Sequence, residues 1–196
     1  MKTKHLLLTA AFAFVAFAFN AASIVYKVDN KQSKVTWIGR KVTGEHTGAI
    51  SVLDGTFSSD GKSVTGGTFN MDMSSITCTD LTDAEYNGKL IGHLKSDDFF
   101  STAKFAKSTL VITKVVSAGK NQFNVSGNLT IKGITHPIEF PATITIALTK
   151  ITASAKIMVD RTKYDIKYGS ASFFDSLGDK AISNEFELNV VLVASK

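Results

Sequence analysis

Alternation of apolar and polar residues, repeated in segment after segment, restricts this chain to strands with one dry face. Near the C-terminus Phe186, Leu188, Val190 and Leu192 alternate with Glu187, Asn189, Val191 and Val193. Earlier, Phe123, Val125, Leu129 and Ile131 alternate with Asn124, Ser126, Asn128, Thr130 and Lys132. A period of two sends successive side chains to opposite faces of a pleated strand. Stretches rich in Val, Ile, Thr and Phe give expected strands near residues 24–29, 33–42, 47–58, 64–74, 103–116, 121–132, 138–149, 151–160 and 181–194. Turn signals fall at Asp29-Asn30, Asp54-Gly55, Asp60-Gly61, Gly66-Gly67, Ala118-Gly119-Lys120-Asn121 and Gly133. Neighbours joined this briefly pair antiparallel, and so many of them predict a closed or nearly closed barrel.

Two segments break the alternation. Between Leu81 and Leu94 the residues Ala84, Leu90, Ile91 and Leu94 recur closer to helical spacing. Asp80 or Thr82 is expected to cap this short helix, with Asp83 and Glu85 favourable in its first turn. Asp97-Asp98-Phe99-Phe100 follows as a tight turn. The other segment runs from Arg161 to Lys180 and carries Tyr164, Tyr168, Phe173 and Phe174. Both connections are longer than hairpin loops, so their apolar side chains must pack on something. Covering a barrel mouth and plugging the end of a filled core both remain open.

The first residues read as an export signal: Lys2 and Lys4, an uncharged apolar run from Leu6 to Phe19, then small residues offering cleavage. Ala16-Phe17-Ala18 fits a small-x-small rule, but a cut after Ala21 or Ala22 leaves a cleaner boundary before the first strand. The run is shorter than the roughly 20 residues a bilayer needs, so residues 1–22 are expected to leave and residues 23–196 to form one domain, periplasmic or secreted. No later stretch is apolar enough to cross a membrane as a helix. Cys78 is the only cysteine, which excludes an intramolecular disulfide. The formal charge is +5, or about +3 without Lys2 and Lys4, with lysines scattered along the strands. A nucleic-acid binder would concentrate them in a stripe, so none is expected as a partner.

Several motifs stand out in order along the chain. They are Ser33-Lys34-Val35-Thr36-Trp37 with Gly44-Glu45-His46-Thr47-Gly48, then His93-Leu94-Lys95-Ser96-Asp97-Asp98-Phe99-Phe100. Gly127 to Ile138 (GNLTIKGITHPI) and Asp160 to Ile166 (DRTKYDI) complete the set. Their order and spacing span nearly the whole of residues 23–196, and together they resemble the YceI-like family. Ala106 departs from the proline expected after an aromatic position. The resemblance implies an exported, extended lipocalin-like barrel, all-β with one short helix near an end, holding a polyisoprenoid or another long apolar chain.

Strand parity and this resemblance define the expected site. Trp37, Phe57, Phe69, Met71, Met73, Leu110, Ile112, Phe123, Leu129, Phe140, Ile146, Phe186 and Leu188 should point inward, with Leu90, Leu94, Phe99, Phe100, Phe173 and Phe174 at the ends. Pattern alone favours a packed core, because small barrels are often filled; the resemblance implies a tunnel. His46, His93, Arg161 and Lys163 are candidates for contact with a polar head group. The histidines lack the close spacing of common zinc motifs, and no metal or cofactor is expected. Asp160 and Asp165 flank Arg161 and Lys163 and are expected to pair with them.

Ser101-Thr102-Ala103-Lys104 matches a Ser-x-x-Lys pattern without its companion motifs, and no nucleophile elbow or phosphate loop is present, so the chain is expected not to be an enzyme. The expected function is binding, transport or storage of an isoprenoid or quinone-like lipid. The alternative is a structural or stress-response barrel with a filled core and a protein partner. A homodimer stays open, with no pattern that specifies it.

Overall fold

The structure, a computed structural model, describes residues 23–196, so the expected signal lies outside the described residues. All nine expected strands form: β1 (Ile24–Val28), β2 (Lys34–Lys41), β3 (Gly44–Ser59), β4 (Val64–Cys78), β5 (Lys107–Gly119), β6 (Gln122–Ile131), β7 (Ile134–Ile146), β8 (Lys150–Asp160) and β9 (Ile182–Ser195). The single α-helix among the described residues, α1, spans Ala84–Lys95. Every strand pairing is antiparallel, and β3 paired to β4 closes the ring.

The ring runs β3-β2-β9-β8-β7-β6-β5-β4, and β1 fills the gap between β3 and β9 that β2 leaves open. One barrel position is thus shared by two short strands. The break between them is the turn after Asp29, whose carboxylate accepts the backbone N–H groups of Lys31 and Gln32. The hydrogen bond from the Gln32 side chain, followed by those from the two backbone amides, holds the Asp29 carboxyl below its ordinary range, against the opposing effect of burial.

Three local expectations are corrected. Asp54-Gly55 and Gly66-Gly67 are not turns; they lie inside β3 and β4, where the register shifts between Val52 and Asp54. Such an irregularity bends a long strand around a barrel, a job that glycine serves as well as it serves a turn. The helix is capped by Asp83, which accepts from the backbone N–H of Glu85 and Tyr86, and not by Asp80 or Thr82. The fifth strand begins at Lys107 rather than 103, because Ser101 to Lys104 form a turn closed by bonds from the Lys104 and Phe105 amides to the Ser101 carbonyl.

α1 and the connection after β8 lie at the end of the barrel where β4 and β8 finish and β5 and β9 begin. The opposite end is closed by packing. Tyr26, Val64, Ile151 and Ala194 are almost completely buried there. Phe123 and Ile146 pack against the same cluster. Residue 23 precedes β1 and residue 196 follows β9, so both emerge at this closed end.

Two sets of contacts lock strands of the wall together. Trp37 on β2 lies opposite Gly48 on β3, and its indole N–H donates to the Thr77 carbonyl of β4 at 3.1 Å. A Cβ at Gly48 would stand 1.8 Å from that carbonyl oxygen and 2.6 Å from the indole ring. On the outer face Glu187 of β9 joins Lys156 of β8 at 2.9 Å and Arg40 of β2 at 3.6 Å, tying three strands. Hydrogen bonds from Lys156 and Asn189, with the nearby Arg40 charge, hold the Glu187 carboxyl below its ordinary range.

Gly48→Ala forces backbone and indole apart and should cost about 1–3 kcal/mol in urea unfolding. Gly88→Ala, at a helix position with open space around it, should gain up to about 1 kcal/mol. Glu187 contributes stability above its unfolded pKa and loses it as pH falls through the lower folded value. The stability difference between wild type and Glu187→Gln should therefore be constant above pH 4.5 and shrink below it, as followed by urea titrations at stepped pH.

Candidate ligand-binding site

The barrel is hollow on the α1 side. A cavity of about 200 Å³ runs inward from that end, well beyond the ~10–15 Å³ that one water needs. Its walls are the inward-facing residues of β2 to β9, so the alternating pattern that builds the sheet also makes the lining apolar. Val35, Ile50, Val125, Phe140, Ile157 and Leu192 form part of the depth. Polar groups gather near the α1 end, where Arg161, Ser183 and Glu185 join the lining.

Of the residues expected inside, Trp37, Phe57, Phe69, Met71, Met73, Leu110, Ile112, Leu129, Phe140, Phe186 and Leu188 line the cavity, and Leu94, Phe99 and Phe100 do so from the mouth. Phe57 and Phe69 meet edge to face, with ring centres 4.7 Å apart. Phe100 meets Phe186 similarly at 6.1 Å.

Others fall elsewhere. Phe123 and Ile146 are inward but fill the closed end instead of lining the cavity. Leu90 is half-buried on α1 and does not reach the cavity. Phe173 and Phe174 are half exposed, and Phe173 lies under the Lys167 ammonium at 5.3 Å. The backbone between Tyr164 and Ile182 turns several times, so spacing there carries no facing information; Tyr168 is the aromatic that reaches the mouth. Its ring packs edge-on against His93 at 4.5 Å.

The four expected head-group residues separate. Lys163 is exposed in the helical turn Arg161–Tyr164 and is absent from the lining. His93 is a rim residue, packed between Phe99 and Tyr168 with its Nε2 3.6 Å from Asp98. His46 bonds Asp80 and does not line the cavity. Arg161 alone both lines the cavity and is buried, at 3% exposure.

Arg161 is also not paired as expected. Its Nε donates to the Ser183 carbonyl at 2.9 Å, one terminal nitrogen to Ile166 at 2.7 Å and the other to Ile182 at 3.1 Å. Asp160 instead caps the following turn by accepting from Thr162, and Asp165 pairs with Lys167 at 2.7 Å. The guanidinium is drawn inward because three backbone carbonyls, that of Ile166 buried and those of Ser183 and Ile182 partly so, converge on its fork, which only arginine can satisfy together. Burial pushes its pKa down, with Asp160 opposing that shift. A guanidinium carries five N–H donors and three are used here, so two remain beside the cavity. Among the described residues it forms no salt bridge.

The Ser101/Lys104 pair is not arranged as nucleophile and base. Both side chains bind Asp97, the lysine at 2.7 Å, and that bonding holds the Asp97 carboxyl low.

Sequence reasoning missed Arg40, Ser183 and Glu185 at the mouth, where strands fray into loops and parity gives no guidance. It also passed over Val125, Ile131, Val190 and Leu192 as lining, although these share the parity of residues it did include.

A model of the YceI-like domain matches residues 26–194. The chain belongs to the YceI-like family. Related proteins of the UPF0312 designation include one from Shewanella denitrificans, 32% identical over 147 residues, 71% of this chain and 72% of that one. Another, from Vibrio campbellii, is 30% identical over 145 residues, with 71% and 72% covered. Among solved structures, Burkholderia cenocepacia BcnA superposes with a TM-score of 0.67 at 24% identity, covering 86% of this chain and 99% of that one. A polyisoprenoid binding domain from Saccharophagus degradans, implicated in plant cell wall breakdown, gives 0.66 at 18% identity, covering 87% and 97%. At these identities the likeness establishes the fold. No helix among the described residues is long and apolar enough to cross a membrane.

Arg161→Lys keeps the charge but cannot serve three carbonyls from one fork. With each abandoned buried acceptor costing about 1–3 kcal/mol, this YceI-like barrel should lose roughly 3 kcal/mol, measured by denaturant unfolding.

Proposed function

We propose that this YceI-like barrel binds a long apolar lipid of the isoprenoid class, polyprenyl or quinone-like, and carries or stores it outside the cytoplasm without chemically changing it. The observation that carries this reading is the cavity itself: an apolar space, open toward α1, whose charged lining residues all lie at that end. An isoprenoid tail has no hydrogen-bonding atoms and asks only for apolar walls. Each buried CH₂ contributes about 0.8 kcal/mol, less the cost of ordering the tail. Met71 and Met73 add adaptable lining.

The charge at one end of the lining supports an orientation. The tail runs toward Phe57, Phe69 and Ile144, and the head stays beside Arg161, Ser183 and Glu185. The two spare N–H donors of Arg161 suit an oxygen acceptor, such as a quinone carbonyl or a phosphate. The polyisoprenoid-binding Saccharophagus domain of similar fold supports the same ligand class. A filled barrel acting only through a protein partner is disfavoured by the empty volume. The Lys2/Lys4 and Leu6–Phe19 pattern supports export to the periplasm.

Native mass spectrometry of the protein purified from its own cells, followed by organic extraction, tests this. A stoichiometric lipid with isoprenoid fragments is expected. A bound fatty acid would keep the carrier role and change the cargo; protein that arrives empty and refuses added prenyl lipids would overturn the reading. Ala155→Phe, which projects a ring into the lumen, should lower prenyl-lipid occupancy at least tenfold while the circular dichroism spectrum stays that of the wild type.

A further inference from the structure

At the same end of the barrel, outside the cavity lining, three different metal-ligating side chains converge from separate places in the chain. His46 is on β3, Cys78 ends β4, and Asp80 follows two residues later. His46 Nδ1 lies 2.8 Å from one Asp80 oxygen, and Cys78 Sγ lies 3.2 Å from the other. All three ligand atoms fall within 4.8 Å of one another. We propose that His46, Cys78 and Asp80 form a mononuclear site for a thiophilic divalent cation of the zinc type.

Tetrahedral zinc with bonds of about 2.0 Å to nitrogen and oxygen and about 2.3 Å to sulfur sets its ligand atoms roughly 3.3–3.5 Å apart. Small side-chain movements bring this trio to that spacing. The mix of thiolate, imidazole and carboxylate matches zinc chemistry, whereas calcium and magnesium prefer oxygen alone. The half-exposed His46 and Asp80 side chains, at 34% and 30%, leave the fourth position to water or to a donor from outside.

The backbone around the site is already fixed. The Thr47 N–H donates to Asp80 at 2.8 Å, so the carboxylate is oriented before any cation arrives. Gly48 pairs with Cys78, and directly opposed residues on antiparallel strands project to one face, so the thiol shares a face with Trp37, which also pairs with Gly48. The Asn87 side chain of α1 donates to the Cys78 and Leu81 carbonyls at 3.1 and 2.9 Å.

In the free protein, protons do the bridging: Asp80 accepts from the thiol and from Nδ1. Cation uptake breaks the S–H bond and releases that proton to water; it also displaces the Nδ1 proton to solvent, from which the imidazole takes one up at Nε2, so one proton is released net. No electron changes hands. The bound cation would brace β3 against the segment from which α1 starts, the helix that brings Leu94 to the cavity mouth. Sequence spacing hid the site because its ligands meet only across the β3–β4 seam.

The test is titration of the purified, reduced protein with cobalt(II), then zinc(II). One equivalent of cobalt should give a near-ultraviolet thiolate-to-cobalt charge-transfer band with intense tetrahedral visible bands, and should quench Trp37, the only tryptophan. Zinc should displace it stoichiometrically. Cys78→Ser should abolish the charge-transfer band, and His46→Ala, at a half-exposed position that threatens folding less, should weaken cobalt binding at least tenfold, no less than loss of an outer-shell partner does. A wild-type protein without a thiolate band, or variants that bind cobalt as the wild type does, would overturn the proposal. The readout is the same whether the cavity is empty or loaded, so failure here leaves the lipid reading untouched.

Discussion

Closure of the sheet between β3 and β4 is the constraint on which everything else rests. A barrel with a hollow centre gives up part of the side-chain packing that normally offsets chain entropy. Without a disulfide, the wall must carry the load. β3 and β4 are the longest strands, at 16 and 15 residues, and they meet at the seam. Open, that seam would expose two long rows of unpaired backbone groups, the arrangement that invites strand addition by other chains.

The seam also explains where irregularity is tolerated. Register shifts along β3 and β4 let the two strands curve, and glycines allow the sheet to fold closely over Phe69 and Trp37. The same curvature brings the Cys78 thiol beside His46 and Asp80. Cavity wall, tryptophan anchor and polar cluster are therefore products of one junction.

The architecture was legible in the sequence because strand parity is a local property. Phe186, Leu188, Val190 and Leu192 face inward as their alternation requires, and one helix fills the first of the two segments that broke the pattern. What stayed illegible depended on three-dimensional convergence. Asp54-Gly55 reads equally as a turn or as a bend within a strand, since both need a residue without a Cβ. Arg161 sits between two aspartates in sequence, yet backbone carbonyls capture it, two of them from the start of β9. Phe173 and Phe174 resemble lid residues by composition, but a connection that reverses direction repeatedly does not fix which way a ring points. Phe123 and Ile146 were placed on the correct face at the wrong depth, because parity reports a side of the sheet and says nothing of the height along the barrel axis.

Residues 23 and 196 both leave the barrel at its packed end, with the full length of the wall between them and the mouth. Anything joined to either point hangs behind the molecule. A tether to a surface would present every copy mouth-outward, and a fused domain would leave the entrance clear. The barrel can thus be moored without being shut.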